Sequence, residues 1–150
     1  KNTLIILSGI SGSGKTHFRE LLYQNSDVMG CVCPDDIRED FYGDASIQGD
    51  GKKVFNEAFS QLKALGKENY DCVFDATNTT KKARKQVIDN AQGWYDFIIC
   101  YYFVPDLIKS QKQNLNRERQ VPLEIVYKQY KKWETPTIDE GFDYVCELKY

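Results

Sequence analysis

The stretch Gly9-Ile10-Ser11-Gly12-Ser13-Gly14-Lys15-Thr16 fits the pattern G-x-x-x-x-G-K-[ST], a spacing that suits a chain of phosphates. Several backbone N–H groups must converge on one anion, and glycine lets the chain approach that closely. Gly9, Ser11, Gly12, Ser13 and Gly14 are therefore expected to cradle a nucleoside triphosphate such as ATP. Lys15 is expected to reach the β- and γ-phosphates, and Thr16 to offer its hydroxyl to Mg²⁺. The loop should open a helix, whose unpaired N–H groups favour an anion.

Three other groups bear on what is done with the phosphate. Asp35 and Asp36 precede Ile37 and Arg38. A carboxylate there can accept the proton of an attacking hydroxyl. Arg38, three residues after Asp35, shares its helix face and can fork onto a phosphate. A helix cap and a surface ion pair would use the same residues. Asp75-Ala76-Thr77-Asn78 follows an apolar run, where phosphate-loop proteins place a magnesium-associated carboxylate. Asp75 is thus a metal candidate acting through water. Thr77, Asn78 and the downstream Arg84 are candidate substrate contacts, against the alternative of a capping turn and a solvated arginine. Finally, Asn114 to Pro122 is a polar connection carrying Arg117 and Arg119. It suits a lid that brings positive charge to the β/γ oxygens, though an ordinary interhelical loop would have this composition too. Little apolar surface anchors residues 116–120, so the connection is expected to move without nucleotide.

Hydrophobic periodicity supplies the elements that must hold these groups. Continuous apolar runs at 3–8, 71–75 and 97–104 read as buried strands, with further strands at 27–33 and 141–148. Helical spacing joins Phe18, Leu21 and Leu22 after the loop. It recurs at 35–41, at Phe55 to Leu65 with Gly66 as the stop, and at Ala83 to Ala91. Two more helices begin at Pro105-Asp106 and at Pro122. Residues 43–51, with three glycines, read as a loop. Strands alternating with helices imply an α/β fold: a parallel sheet of about five strands, helices on both faces, and a helical lid around 105–133. Residues 1–150 are read as one domain. Ligands gather beyond the carboxyl ends of such strands, where all four chemical groups fall.

Composition narrows the class. At 150 residues and 41% apolar, the chain can bury a core. Its apolar runs are too short to span a membrane, and no signal-peptide pattern is present. It starts at Lys1, which suggests a trimmed chain or a piece of a longer one. The five cysteines are odd in number and mostly sit in strand-like runs, which points to free thiols and a cytoplasmic setting. Cys31-Val32-Cys33 lacks a second Cys/His pair, so zinc is not expected. Net charge is −2, yet residues 81–85 and 109–132 are strongly basic. These two segments could share one face toward a polyanion, or be two solvated helix faces.

Taken together, GISGSGKT, PDDIR, DATN, NLNRERQVP and WETPTIDEGFD resemble, in order and over nearly the whole chain, the kinase domain of the 5′-hydroxyl polynucleotide kinases. That resemblance implies transfer of the ATP γ-phosphate to the 5′-OH end of DNA or RNA, with Mg²⁺. It implies Asp35 as general base, Arg38 on the phosphate 3′ to the acceptor hydroxyl, and Lys15 and Arg117 on the donor. Arg117 falls in register with the family's lid arginine, which makes it the expected transition-state residue, and Arg119 is expected to hold ATP. Gln113 stands where many members carry another arginine. A small-molecule kinase on this fold, or a nucleotide-binding module without transfer, would share the phosphate loop.

Overall fold

The computed structural model describes residues 1–25, 29–45, 47 and 49–149. Its centre is β1 (Thr3–Ser8), which lies between β3 (Asp71–Asp75) and β4 (Phe97–Phe103). With β2 (Met29–Val32) and β5 (Tyr144–Leu148) at the edges, the order is β2-β3-β1-β4-β5 and every pairing is parallel. Leu4, Ile6 and Leu7 of β1 are fully buried, as a strand covered on both faces requires.

The helices supply that cover. On one face, Phe18 and Leu22 of α1 (Lys15–Gln24) pack over Ile5, Leu7 and Val73. On the other, α3 (Gly51–Lys67) and α4 (Lys81–Ala91) bring Val54, Ala58, Leu62, Val87 and Ile88 against Leu4, Ile6 and Phe74. Each of these larger side chains gains roughly 1.5–3 kcal/mol from burial. The short α2 (Pro34–Tyr42) follows β2, and the pair α5 (Leu107–Leu115) and α6 (Leu123–Lys131) follows β4. The expected α/β architecture is therefore present, with five parallel strands and six α-helices among the described residues.

Several boundaries differ from expectation for local reasons. The second strand begins at Met29 among the described residues; Asp27 and Val28 lie outside them. Cys33 is the N-cap of α2 rather than a strand residue, and Pro34 opens that helix, where its missing N–H costs nothing. Gly66 does not end α3 but lies buried within it. A Cβ there would meet the Trp94 Cβ and carbonyl oxygen at 2.8 Å. Pro122 caps α6 rather than occupying its first turn. The fifth strand starts later than the pattern suggests, because a 3₁₀ turn at Ile138–Glu140 precedes it.

The chain just past one basic segment is tied to the start of the other. Glu134, just past α6, donates its N–H to the Thr79 carbonyl at 2.8 Å, and its carboxylate accepts from the Lys81 N–H at 3.1 Å. The start of α4 and the end of α6 are thus fastened side by side.

Candidate active site

Beyond the carboxyl ends of β1, β2 and β3 lies a cleft of about 500 Å³. Ser11, Gly12, Gly14, Lys15 and Thr16 form its floor; Asp35 and Asp36 stand on the α2 side, with Asp75 and Thr77 after β3. Arg117 and Arg119 approach from the connection between α5 and α6. Four sequence-distant groups thus share one cavity.

The phosphate loop has the backbone its glycines suggest. Gly12 and Gly14 have φ of 85° and 103°, conformations costly for any other residue. At Gly12 the demand is doubled, because a Cβ would lie 2.1 Å from the Ser110 carbonyl oxygen on α5. Gly9 is held by donating its N–H to Thr77 O at 2.9 Å, and a Cβ there would meet Ser13 Oγ at 2.6 Å. Gly14 caps α1 without a side-chain acceptor, so the first amides of that helix have no side-chain claim on them. The Ser13 hydroxyl is buried without a hydrogen-bond partner. This cradle fits a phosphate chain. Besides Gly9, two amides of the loop are taken: Ser11 N–H donates to Gln129 Oε1 on α6 at 2.8 Å, and Ser13 N–H to the Ile10 carbonyl at 3.1 Å.

Lys15 Nζ donates to the Gly9 and Ile10 carbonyls at 2.9 and 3.1 Å. Burial lowers its pKa; the nearby Asp75 charge opposes that and Arg117 reinforces it. Asp75 is itself buried, which raises its carboxyl pKa against the pull of Lys15 and Arg19. Its direct partner is Arg19 Nη1 at 3.0 Å. A metal at Thr16 would therefore meet Asp75 only as a neighbour already paired, which suits contact through water. Thr16 is exposed at the second position of α1.

On α2, Arg38 Nη1 donates to Asp35 Oδ1 at 2.8 Å. The Asp35 side chain is 48% exposed while that of Arg38 is 15% exposed. Arg38 lies 5.9 Å from the Phe55 ring centroid and keeps a buried Nε without a partner. The arrangement fixes the carboxylate toward the cleft and leaves the guanidinium under-satisfied.

Two expected substrate contacts point elsewhere. Arg84 is fully buried and forks onto Glu140, Nε to Oε1 at 2.7 Å and Nη2 to Oε2 at 3.1 Å. Its Nη1 donates to the Asn78 carbonyl at 2.8 Å. Asn78 has φ of 45°, is buried, and donates from Nδ2 to Leu7 O at 2.8 Å. Both residues shape the turn beside the phosphate loop instead of facing a ligand. Thr77 does line the cleft. Arg119 also departs from its expected place on ATP. Its Nη1 pairs with Asp36 at 3.2 Å and its Nη2 with Glu39, both on α2. The connection itself is held by polar anchors: the Asn114 side chain bonds both the N–H and the carbonyl of Val121, and Gln120 reaches Leu115 O.

Sequence reading missed Arg19, Gln129 and Glu140. Arg19 was within reach, since it lies four residues after Lys15 and so shares its helix face. Nothing local marks Gln129, whose partner lies 118 residues away. Glu140 closes a local Thr-x-x-Glu pattern, but that pattern says nothing of Arg84, 56 residues away.

Beside Gly14, a second cavity of about 430 Å³ is lined by His17, Phe18, Leu21, Phe103, Gln113 and Leu148. It is mainly apolar and adjoins the phosphate loop.

A family model described as an AAA domain matches residues 4–136. Among solved structures, a chain of the Pnkp1/Rnl/Hen1 RNA repair complex aligns with TM-score 0.77 at 20% identity, over 87% of this chain and 43% of that one. A fungal RNA kinase aligns with TM-score 0.70 at 15% identity, over 99% and 74%. A gluconokinase from Sinorhizobium meliloti 1021 aligns with TM-score 0.62 at 17% identity, over 97% and 81%. At such identities the likeness is one of fold. The chain spans less than half the length of the two RNA-repair chains it matches. Among the described residues, no helix is long and apolar enough to cross a membrane.

Proposed function

Since the chain belongs to the AAA domain family and has a P-loop kinase fold, we propose that it is a polynucleotide kinase. It would transfer the γ-phosphate of ATP to the 5′-hydroxyl of DNA or RNA. The observation that carries this reading is Asp35: a carboxylate steered by Arg38, on the cleft wall and sharing that cavity with Lys15 and Arg117.

The roles follow from charge and position. Gly12, Ser13, Gly14 and the first amides of α1 hold the β-phosphate; Lys15 exchanges its carbonyl partners for β/γ oxygens. The apolar cavity beside Gly14 takes the nucleobase. Asp35 accepts the proton from the 5′-hydroxyl as that oxygen attacks the γ-phosphorus. The P–O bond to the β-phosphate breaks and ADP leaves. Arg38, which holds Asp35 but does not itself line the cleft, would turn its guanidinium onto the phosphate on the 3′ side of the acceptor sugar. Arg117 faces the bond that breaks, where charge grows in the transition state. Mg²⁺ at Thr16, with Asp75 nearby, would neutralise donor charge. The connection between α5 and α6, residues 116–122 with Arg117 and Arg119, serves as the lid.

A gluconokinase shares this fold, so the acceptor must be tested rather than assumed. Transfer from γ-labelled ATP is measured side by side on a 5′-hydroxyl oligonucleotide, a nucleoside 3′-monophosphate, a nucleoside and gluconate. The oligonucleotide and the 3′-monophosphate should be phosphorylated, and the others should lag by at least an order of magnitude. Equal use of a phosphate-free acceptor at low salt would defeat the reading.

A further inference from the structure

We propose that the junction of α4 and α6 is a second nucleic-acid contact, which grips the backbone of a single-stranded acceptor beyond its terminal nucleotide. The idea rests on the kinase reading only for the word acceptor; the surface itself is argued from charge. Glu134 joins the two helix ends through the Thr79 carbonyl and the Lys81 N–H. That contact gathers Lys81 and Lys82 from the first turn of α4 with Lys131 and Lys132 from the end of α6, and Lys128 lies one turn before. All five are exposed. Among the described residues, none of their ammonium groups has a carboxylate partner.

Structure alone gives little reason for this clustering. Lysines at the end of α6 complement its dipole, but Lys81 and Lys82 oppose the dipole of α4, whose first turn holds no acid. Glu134 already supplies the anion that the α4 N-terminus wants. Like charges gathered on one junction repel one another, the more so at low salt. A polyanion reverses the sign of that interaction and releases counterions from itself. Single-stranded nucleic acid fits best, because Tyr127 is 47% exposed one turn from Lys131 and offers a stacking face among the lysines. An acidic peptide would leave that ring unused. The junction is also well placed: Thr77 lines the cleft, and four residues of chain to Lys81 bound the distance at about 15 Å. A strand whose 5′ end sits at Asp35 needs only a few nucleotides to arrive there.

The test is the charge-reversal variant Lys82→Glu/Lys131→Glu/Lys132→Glu, none of which touches the cleft. Binding of a fluorescent single-stranded oligonucleotide of about 20 nucleotides is followed by anisotropy across a salt series. In parallel, KM is measured for that oligonucleotide and for a nucleoside 3′-monophosphate. We expect oligonucleotide Kd and KM to rise about tenfold or more. The salt slope should flatten by about 2, from three lost contacts at ~0.7 each. Values for the 3′-monophosphate and ATP should stay within twofold. The neutral variant Lys82→Gln/Lys131→Gln/Lys132→Gln should show a smaller shift in the same direction. Unchanged oligonucleotide binding in the reversed variant, or equal loss for the 3′-monophosphate, overturns the proposal. If the unmodified protein phosphorylates no acceptor, the kinase reading fails while anisotropy still decides the surface.

Discussion

In the proposed reaction Asp35 and Arg117 serve opposite halves of one displacement, and their variants should separate the halves. Asp35→Asn keeps the shape but cannot take the proton. It should lower kcat by about 10²–10⁴, the range of general-base catalysis, with ATP affinity changed only a few-fold by equilibrium binding. Arg117→Ala should lower kcat by about 10² or more, on the scale of one oriented charge in the transition state. A kcat near that of the unmodified protein for either variant would remove the assigned role. The glycine loop, Asp35 and Arg38 were readable in sequence because each belongs to a short local pattern. Arg84 was misread for a physical reason: an arginine on a helix reads as solvated or ligand-facing, and its carboxylate partner lies 56 residues away.

At the scale of elements, two polar links between distant segments differ in how deeply they are buried. Arg119 fastens the α5–α6 connection to Asp36 and Glu39 of α2, and these side chains are 38%, 54% and 51% exposed. Exposed pairs contribute about 0–1 kcal/mol, so this one would break at little cost if the proposed lid opens. Arg119→Ala should therefore raise acceptor KM a few-fold and leave the KM for ATP nearly unchanged, the reverse of what the sequence suggested. Steady-state kinetics with each substrate varied in turn would tell. The Arg84–Glu140 fork is different because it is buried. Arg84→Ala strands Glu140 and should cost about 3–5 kcal/mol in denaturant unfolding. Replacing both partners with apolar residues should cost much less. Strand and helix order was legible because β1, β3 and β4 are continuous apolar runs. The 3₁₀ turn was not, since its capping box at Thr137 and Glu140 is too short for any periodicity.

Across the whole molecule, three of the five thiols, Cys33, Cys72 and Cys100, lie in the core. Cys72 and Cys100 are fully buried, and burial pushes both thiols up to about 12 from the usual 9.0. Folded, they stay protonated where the unfolded chain has already ionised. Their contribution is thus complete below about pH 9 and is lost as pH rises toward 12. Alkylation at pH 8 should reach partly exposed Cys146 first and leave Cys72 and Cys100 unmodified until unfolding. Mass spectrometry of labelled peptides over time would show otherwise if the core is loose. The central position of β1 has a consequence for synthesis. Thr3 and Asn2 bond to Asp71 and Asp96, 68 and 94 residues further along. At 5–20 residues per second, the first of those partners follows roughly 3–14 s later. Until then Leu4 to Leu7 leave the ribosome as an apolar segment with no sheet to join. The loop after it waits too, because Gly9 is held by Thr77. Nascent chains halted before β3 should bind chaperones and no nucleotide, so the phosphate loop becomes competent only once the later strands that hold it have been made.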